Sequence, residues 1–454
     1  MGTSIQSLRK NALRIFQAGI DAANPYQAVK NCLTVADNHF EIALDLNDAT
    51  KKRTGRWSKI HLIAFGKAAC NMMEAAEAVI PKHRLASKPL AITNYENQRP
   101  LKNIEVIGAG HPLPDNSGLK AAQLIVKHLK NTEPDELVLI LISGGGSALI
   151  PYPAAGITLE DKTATTDLLL ASGASINQIN CVRKHLSQIK GGHLTALAAP
   201  ADLHALILSD VLGDDISTIS SGPTVPDNTT FFDALSILKE KDLWNKIPLN
   251  VQILLEKGIA GEIKETPNAS SPCFNKTSHT LIGSNAISIK AITQAAKNLG
   301  YETNIFSQQL SGEARDVAEQ LVLRAKALIE NGLTQPTAIL AGGETTVTLN
   351  GTGSGGRNQE MALAFTIAAN KHNLKGKWTF LSGGTDGRDG PTDAAGGIVD
   401  PGTLGRIKKA RANPENRLNN NDSYSALKKS QDLVITGATG TNVADLQVLL
   451  IQPE

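Results

Sequence analysis

The stretch Leu137-Val-Leu-Ile-Leu-Ile142, followed by Ser143-Gly144-Gly145-Gly146-Ser147, reads as a buried strand that ends in a glycine turn. An aliphatic run without polar alternation marks a strand covered on both faces, as in a parallel sheet between helices. Similar junctions recur along the chain. His61–Phe65 runs into Gly66-Lys67, Ala338–Ala341 into Gly342-Gly343-Glu344, Trp378–Leu381 into the Ser382–Gly387 turn, and Asp432–Thr436 into the Gly437–Thr441 turn. Helical periodicity covers residues 68–79, 117–130, 285–299, 314–329 and 358–370. Short strands alternating with helices predict an α/β class with largely parallel sheets. Ligands of such sheets bind beyond the carboxyl ends of the strands, which is where these turns lie.

A chain of 454 residues is long enough for two or three domains. A shift toward Pro, Ser and Asn between Asp242 and His279 marks a connection, giving an N-terminal domain over 1–242, a link over 243–279 and a C-terminal domain over 280–454. The β-branched segment Thr345–Leu349 predicts a further strand and hence a mixed sheet in the second half. Lys plus Arg number 45 against 43 Asp plus Glu, a net charge of +2 that argues against a nucleic-acid grip. The longest apolar run, Leu137–Ile142, is far short of the roughly 20 residues of a membrane span. The N-terminus lacks a signal-peptide pattern; Leu8, Ala12, Ile15, Phe16 and Ile20 recur at helical spacing, predicting an amphipathic helix that ends near Asn24-Pro25. Four scattered cysteines fit a reducing, cytoplasmic setting without a structural metal.

Gly351-Thr-Gly353-Ser-Gly355-Gly356 satisfies G-x-G-x-x-G, but no Asp or Glu stands between Met361 and Thr385 to hold a ribose, so it reads as an anion loop and not an NAD site. No Walker A motif and no protein-kinase catalytic loop occur. The glycines of Ser143–Ser147 allow backbone N–H groups to approach a phosphate closely. Lys67 and Arg357 each follow a glycine turn at a helix start, where a cation adds to the positive end of the helix dipole. Asp210, Asp386 and Asp389 supply hard oxygens suited to Mg²⁺, whereas Asp214, Asp393 and Asp422 read as turn or cap residues. Arg183 and Lys190, in a basic helical stretch, are within reach of a substrate carboxylate or form a solvated face. His111, between turn residues, reads as structural.

The strings AFGKAA (64–69), GHPLPDNSG (110–118), LISGGGSAL (141–149), VRKHLSQIKGG (182–192), LSDVLGDD (208–215), SSGPTVPD (220–227), AGGETTV (341–347), GSGGRNQEMAL (353–363), SGGTDGRDGPTDAAG (382–396) and TGATGTNVADL (436–446) resemble the glycerate 2-kinase family, the later ones its C-terminal MOFRL region. The resemblance implies ATP- and Mg²⁺-dependent phosphorylation of D-glycerate at its C2 hydroxyl, giving 2-phosphoglycerate and ADP. It also implies two α/β/α domains, a Rossmann-like N-terminal one with a parallel sheet and a C-terminal one with a mixed sheet, and a site in the cleft between them. Its catalytic pair matches Lys67 and Arg357. The chain departs from the pattern at His193, Arg388, Ala438 and Ala444, the last standing where Asn is more usual.

Expected roles follow. Ser143, Gly144, Gly145, Gly146 and Ser147 bind the nucleotide; Arg183, Lys190, Glu344, Asn358 and Asp386 bind the acceptor; Asp210 or Asp386 holds the metal; Glu344 or Asp386 takes the hydroxyl proton. A monomer or homodimer is expected, with no nucleic-acid or membrane partner. Competing readings are an NAD(P)H-dependent hydroxypyruvate reductase and a non-catalytic sugar-phosphate-binding protein.

Overall fold

The computed structural model describes residues 4–36, 39–46 and 48–453. The chain divides into two units, Pro25–Ile282 and a second that joins Met1–Asn24 to Gly283–Glu454.

In the first unit, six strands lie in the order Glu105–Ala109, Leu90–Asn94, Ile60–Phe65, Leu137–Ile142, Asp202–Leu208 and Thr277–Gly283. The first five pair in parallel. Every residue of Ile60–Phe65 and Leu137–Ile142 is buried, as their unbroken apolar runs require. Helix Asn116–Leu129 covers the sheet with Ala121, Ala122, Ile125 and Leu129. A separate apolar cluster, carried by helices Leu159–Ala171, Ile176–His185, Phe231–Glu240 and Leu249–Ile259, packs Leu169, Val182, Leu238 and Leu255 together. The last of these helices lies in the stretch expected to be a link; Val251, Leu254 and Leu255 bury one face of it. A three-stranded antiparallel sheet, Leu33–Ala36, His39–Ala43 and Lys52–Gly55, completes the unit.

The second unit has a mixed sheet in the order Glu302–Leu310, Thr337–Gly343, Asp445–Gln452, Lys377–Gly384, Gly396–Val399 and Leu433–Val434. Only the first pair is parallel. The mixed character arises from Asp445–Gln452, which runs antiparallel between two strands. Thr345–Leu349 is not a strand. Its Thr348 N–H and the Thr346 and Thr348 hydroxyls donate to the Glu313 carboxylate, leaving one isolated bridge, Glu313–Thr346.

Helix Ile5–Ala22 belongs to this second unit. Leu8, Ala12, Ile15, Phe16 and Ile20 bury the predicted stripe against Ile289, Ile292, Leu381, Leu446 and Val448. Arg9 pairs with Asp400 and Asp432, and the Ser288 hydroxyl donates to the Gly19 carbonyl. The five helices expected from periodicity are all present, among them Ala69–Val79, Ala314–Glu330 and Arg357–Lys371. Among the described residues, no helix is long and apolar enough to cross a membrane.

Candidate active site

In the first unit, two neighbouring parallel strands deliver their turns side by side. Gly66 has φ +123°, and a Cβ there would lie 2.1 Å from the Ser143 hydroxyl, so only glycine allows the turns to approach. The Lys67 N–H donates to the Gly144 carbonyl at 2.9 Å, and the Ala68 N–H donates to Ser143 Oγ at 3.0 Å. Ser143 therefore serves as a brace between the turns, its hydroxyl buried and engaged with the start of helix Ala69–Val79. The Lys67 turn and the Gly144–Gly146 loop form one assembly.

Gly145 adopts φ +88° and starts the short helix Gly146–Leu149. His111 and the aliphatic stem of Lys67 press against Gly145. Burial, followed by the Lys67 charge, lowers the His111 pKa. Gly144 lies against the Asp210 carboxylate, where a Cβ would be 1.9 Å from Oδ2. Burial raises the Asp210 pKa, and Lys67 opposes that rise. Gly146 faces Ser220, whose buried hydroxyl has no partner among the described residues. Ser220, Ser221 and Gly222 are consecutively left-handed, at φ 53°, 61° and 58°. Strain of that kind persists only where the surroundings over-determine it. The Ser147 hydroxyl bonds Ser221 Oγ at 2.9 Å, and the Ser147 carbonyl accepts from Lys190 Nζ at 3.0 Å. Arg183 and Lys190 line a cavity that also touches Gly145 and Ser147.

In the second unit, Arg357 opens helix Arg357–Lys371 but is not a solitary cation. Its Nε and Nη2 donate to the Asp445 carboxylate at 2.5 and 3.0 Å, and Nη1 pairs with Glu344 Oε1 at 2.7 Å. Asp445 is buried and fixes one edge of the guanidinium. The sequence reading missed Asp445; it lies within the TNVADL string, but nothing local ties it to a residue 88 positions earlier.

Asn358 is buried, with Nδ2 donating to Asp389 and Oδ1 accepting from the Ser382 hydroxyl. Asp389 accepts the Asn358 and Gln359 N–H groups at the same helix start. Burial raises its pKa to about 6 against those hydrogen bonds. This carboxylate caps a helix from a distant loop. Asp386 takes the Arg388 N–H at 2.9 Å, and the Arg388 side chain is exposed. His193 is turned inward, its Nδ1 on the Lys190 carbonyl.

The first four residues of the Gly351–Gly356 string, expected to form an anion loop, spend their N–H groups within the protein. The N–H groups of Gly351, Thr352, Gly353 and Ser354 are taken by Asn421 Oδ1, Asn420 Oδ1, the Asn420 carbonyl and Asp422 Oδ1. The glycines permit close backbone packing; a Cβ at Gly351 or Gly353 would lie 2.4 Å from Asn420 or Asp422 atoms.

Among the described residues, no three His, Cys, Asp or Glu side chains gather as a metal cluster. A single largely buried carboxylate beside a glycine loop, as at Asp210, still suits Mg²⁺, which takes one or two protein carboxylates and completes its shell with phosphates and water.

A domain of unknown function, DUF4147, matches residues 11–256, and the MOFRL family matches residues 337–445. A glycerate 2-kinase of Pyrococcus horikoshii is 41% identical over 98% of this chain and 97% of its own. A D-glycerate 2-kinase of Thermotoga maritima is 39% identical over 98% and 99%. The crystal structure of a glycerate kinase from Thermotoga maritima matches with a TM-score of 0.86 at 38% identity, covering 98% of this chain and all of that one. Fold and turns thus define a two-unit α/β protein of the kinase class. The chain belongs to the glycerate 2-kinase family.

Proposed function

We propose that this protein transfers the γ-phosphoryl group of ATP to the C2 hydroxyl of D-glycerate, forming 2-phosphoglycerate and ADP. The observation that carries this reading is the assembly of Lys67, the Gly144–Gly146 loop and Asp210 at adjoining strand ends. A cation, backbone donors and a metal-suited carboxylate in one place are what phosphoryl transfer asks of a protein, since its catalysis is mainly positioning and charge stabilisation. The names of the full-length relatives support glycerate as acceptor.

In this mechanism the Gly144–Gly146 loop receives the phosphates, with Ser143 and Ser147 holding its shape. Asp210 would hold Mg²⁺, which when bound neutralises charge on the phosphate oxygens. The C2 oxygen attacks the γ-phosphorus, the bond from phosphorus to the ADP oxygen breaks, and the hydroxyl proton passes to Glu344 or Asp386. A loose transition state requires no strong base there. Lys67 and Arg357 stabilise the charge on the transferring group, Arg357 being oriented by Asp445.

The test is to supply ATP, Mg²⁺ and D-glycerate, follow ADP, and locate the new phosphate by phosphorus NMR. A 2-phospho product is expected. Lys67→Ala and Arg357→Ala should each lower kcat by roughly 10²–10⁵-fold with unchanged circular dichroism. A 3-phospho product would move the attacking oxygen, and NAD(P)H consumption with hydroxypyruvate without ADP release would replace the kinase by a reductase.

A further inference from the structure

The cavity beside Gly145 and Ser147 has a volume of about 220 Å³ and is walled by three cationic side chains, Lys162, Arg183 and Lys190. Lys162 projects from helix Leu159–Ala171, where Leu159, Thr165 and Leu169 are buried with it. Its Nζ is shielded from solvent and has no hydrogen-bond partner among the described residues. Lys190 is buried as well, and among the described residues its Nζ donates to the neutral Ser147 carbonyl and to no carboxylate. Of the described residues that line the cavity only Asp167 is acidic; it is exposed, and its charge acts on Arg183. His111 is the remaining titratable wall residue.

Burying an ammonium without a partner costs free energy, and placing cations together adds repulsion. Lys162 and Arg183 each oppose the charge on Lys190, and Arg183 opposes that on Lys162. An arrangement of this kind is relieved by an anion. The volume lies below the roughly 300–1,000 Å³ of sites for drug-sized ligands, which selects a small anion over a nucleotide.

We propose that Lys162, Arg183 and Lys190 form the pocket for the carboxylate of the three-carbon acceptor, with Lys162 as a binding residue that sets selectivity for an acid over an uncharged polyol. The inference rests on the function proposed above and deepens it. A carboxylate there lies next to the loop assigned to the phosphates, because Ser147 and Gly145 belong to both walls. Pro112, Pro114, Ala148 and Pro151 supply an apolar lining that keeps water from competing for the charges.

Lys162→Met tests this, because it removes the charge while retaining the length and volume of the buried stem. Removing an unpartnered buried charge should leave the thermal midpoint equal or higher. The KM for D-glycerate should rise at least about tenfold, as expected for a lost charge-assisted hydrogen bond, with the KM for ATP unchanged. In parallel, D-glycerate should raise the wild-type midpoint, the shift should be lost in Lys162→Met, and glycerol should raise neither. An unchanged glycerate KM and shift in the variant, no glycerate shift in the wild type, or a rise in the ATP KM instead would each overturn the assignment. Absence of glycerate turnover in the wild type would count against the proposed function alone, while the binding shifts would still decide the pocket.

Discussion

At the scale of the residue, Lys162 concentrates the opposing forces in the first unit. Its pKa is lowered from 10.5 to about 7 by burial and then by Arg183. Between about pH 7 and 10.5 the unfolded chain holds a proton that the folded one has released, so the Lys162 contribution to stability improves as pH rises through that window. Lys162→Met should therefore be more stable than the wild type, with the gap widest below pH 7 and closing toward pH 10.5. Urea midpoints of the two proteins across that range check it, and a constant gap would refute it. Arg357 shows the opposite balance. Hydrogen bonding to Asp445 and the charges of Asp445 and Glu344 outweigh its burial and raise its pKa, so its cationic form is fixed at every working pH. The placement of Lys67 and Arg357 after glycine turns at helix starts was legible because it is a local pattern. Asp445 and Lys162 were not legible, since their meaning depends on residues brought close only by folding.

At the scale of the element, loops are held in shape by other loops. Asn421 is the example in the second unit. Its Oδ1 takes the N–H groups of Asn350 and Gly351, and its Nδ2 donates to the Thr348 carbonyl and to Glu360. Asn421→Ala should strand four hydrogen-bonding groups, of which the Glu360 carboxylate is buried, and destabilise the unit by about 1–3 kcal/mol, measured as a fall in the urea midpoint without loss of secondary structure beforehand. The same contacts explain why the Gly351–Gly356 string misleads when read alone. Spacing of glycines reports that the backbone must pass close to something, and here Gly351, Gly353 and Gly355 pass close to the 420–423 segment and Gly356 to Asp389. Thr345–Leu349 misleads for a related reason. β-branched alternation favours an extended chain, but the Glu313 carboxylate captures its donors before a neighbouring strand can. The fully apolar strands and the long amphipathic helices were legible because burial on one face or two imposes its own period.

At the scale of the whole molecule, the units are not the two halves of the sequence. Periodicity predicts helix Ile5–Ala22 correctly but carries no information about which sheet it will cover. Its partners lie beyond residue 285, including Ile289, Ile292, Leu446 and Val448. Burying Leu8, Ile15 and Phe16 contributes roughly 1.5–3 kcal/mol each, and together they approach the net stability of an ordinary domain, about 5–15 kcal/mol. A chain lacking residues 1–22 should lose hydrogen-exchange protection in Asp445–Gln452 while Leu137–Ile142 keeps it. Protection retained in both strands would show that the helix is dispensable.

The place of that helix also sets an order of events during synthesis. Helix Ile5–Ala22 leaves the ribosome more than 400 residues ahead of a strand it packs on, Asp445–Gln452. At about 5–20 residues per second, the apolar stripe waits roughly 20–90 s for its partner, while the whole of Pro25–Ile282 is made and can fold in the interval. Until Ile289 and Ile292 emerge the nascent chain carries an unsatisfied hydrophobic surface on which chaperones can act, and the second unit closes only once Asp445–Gln452 has been made.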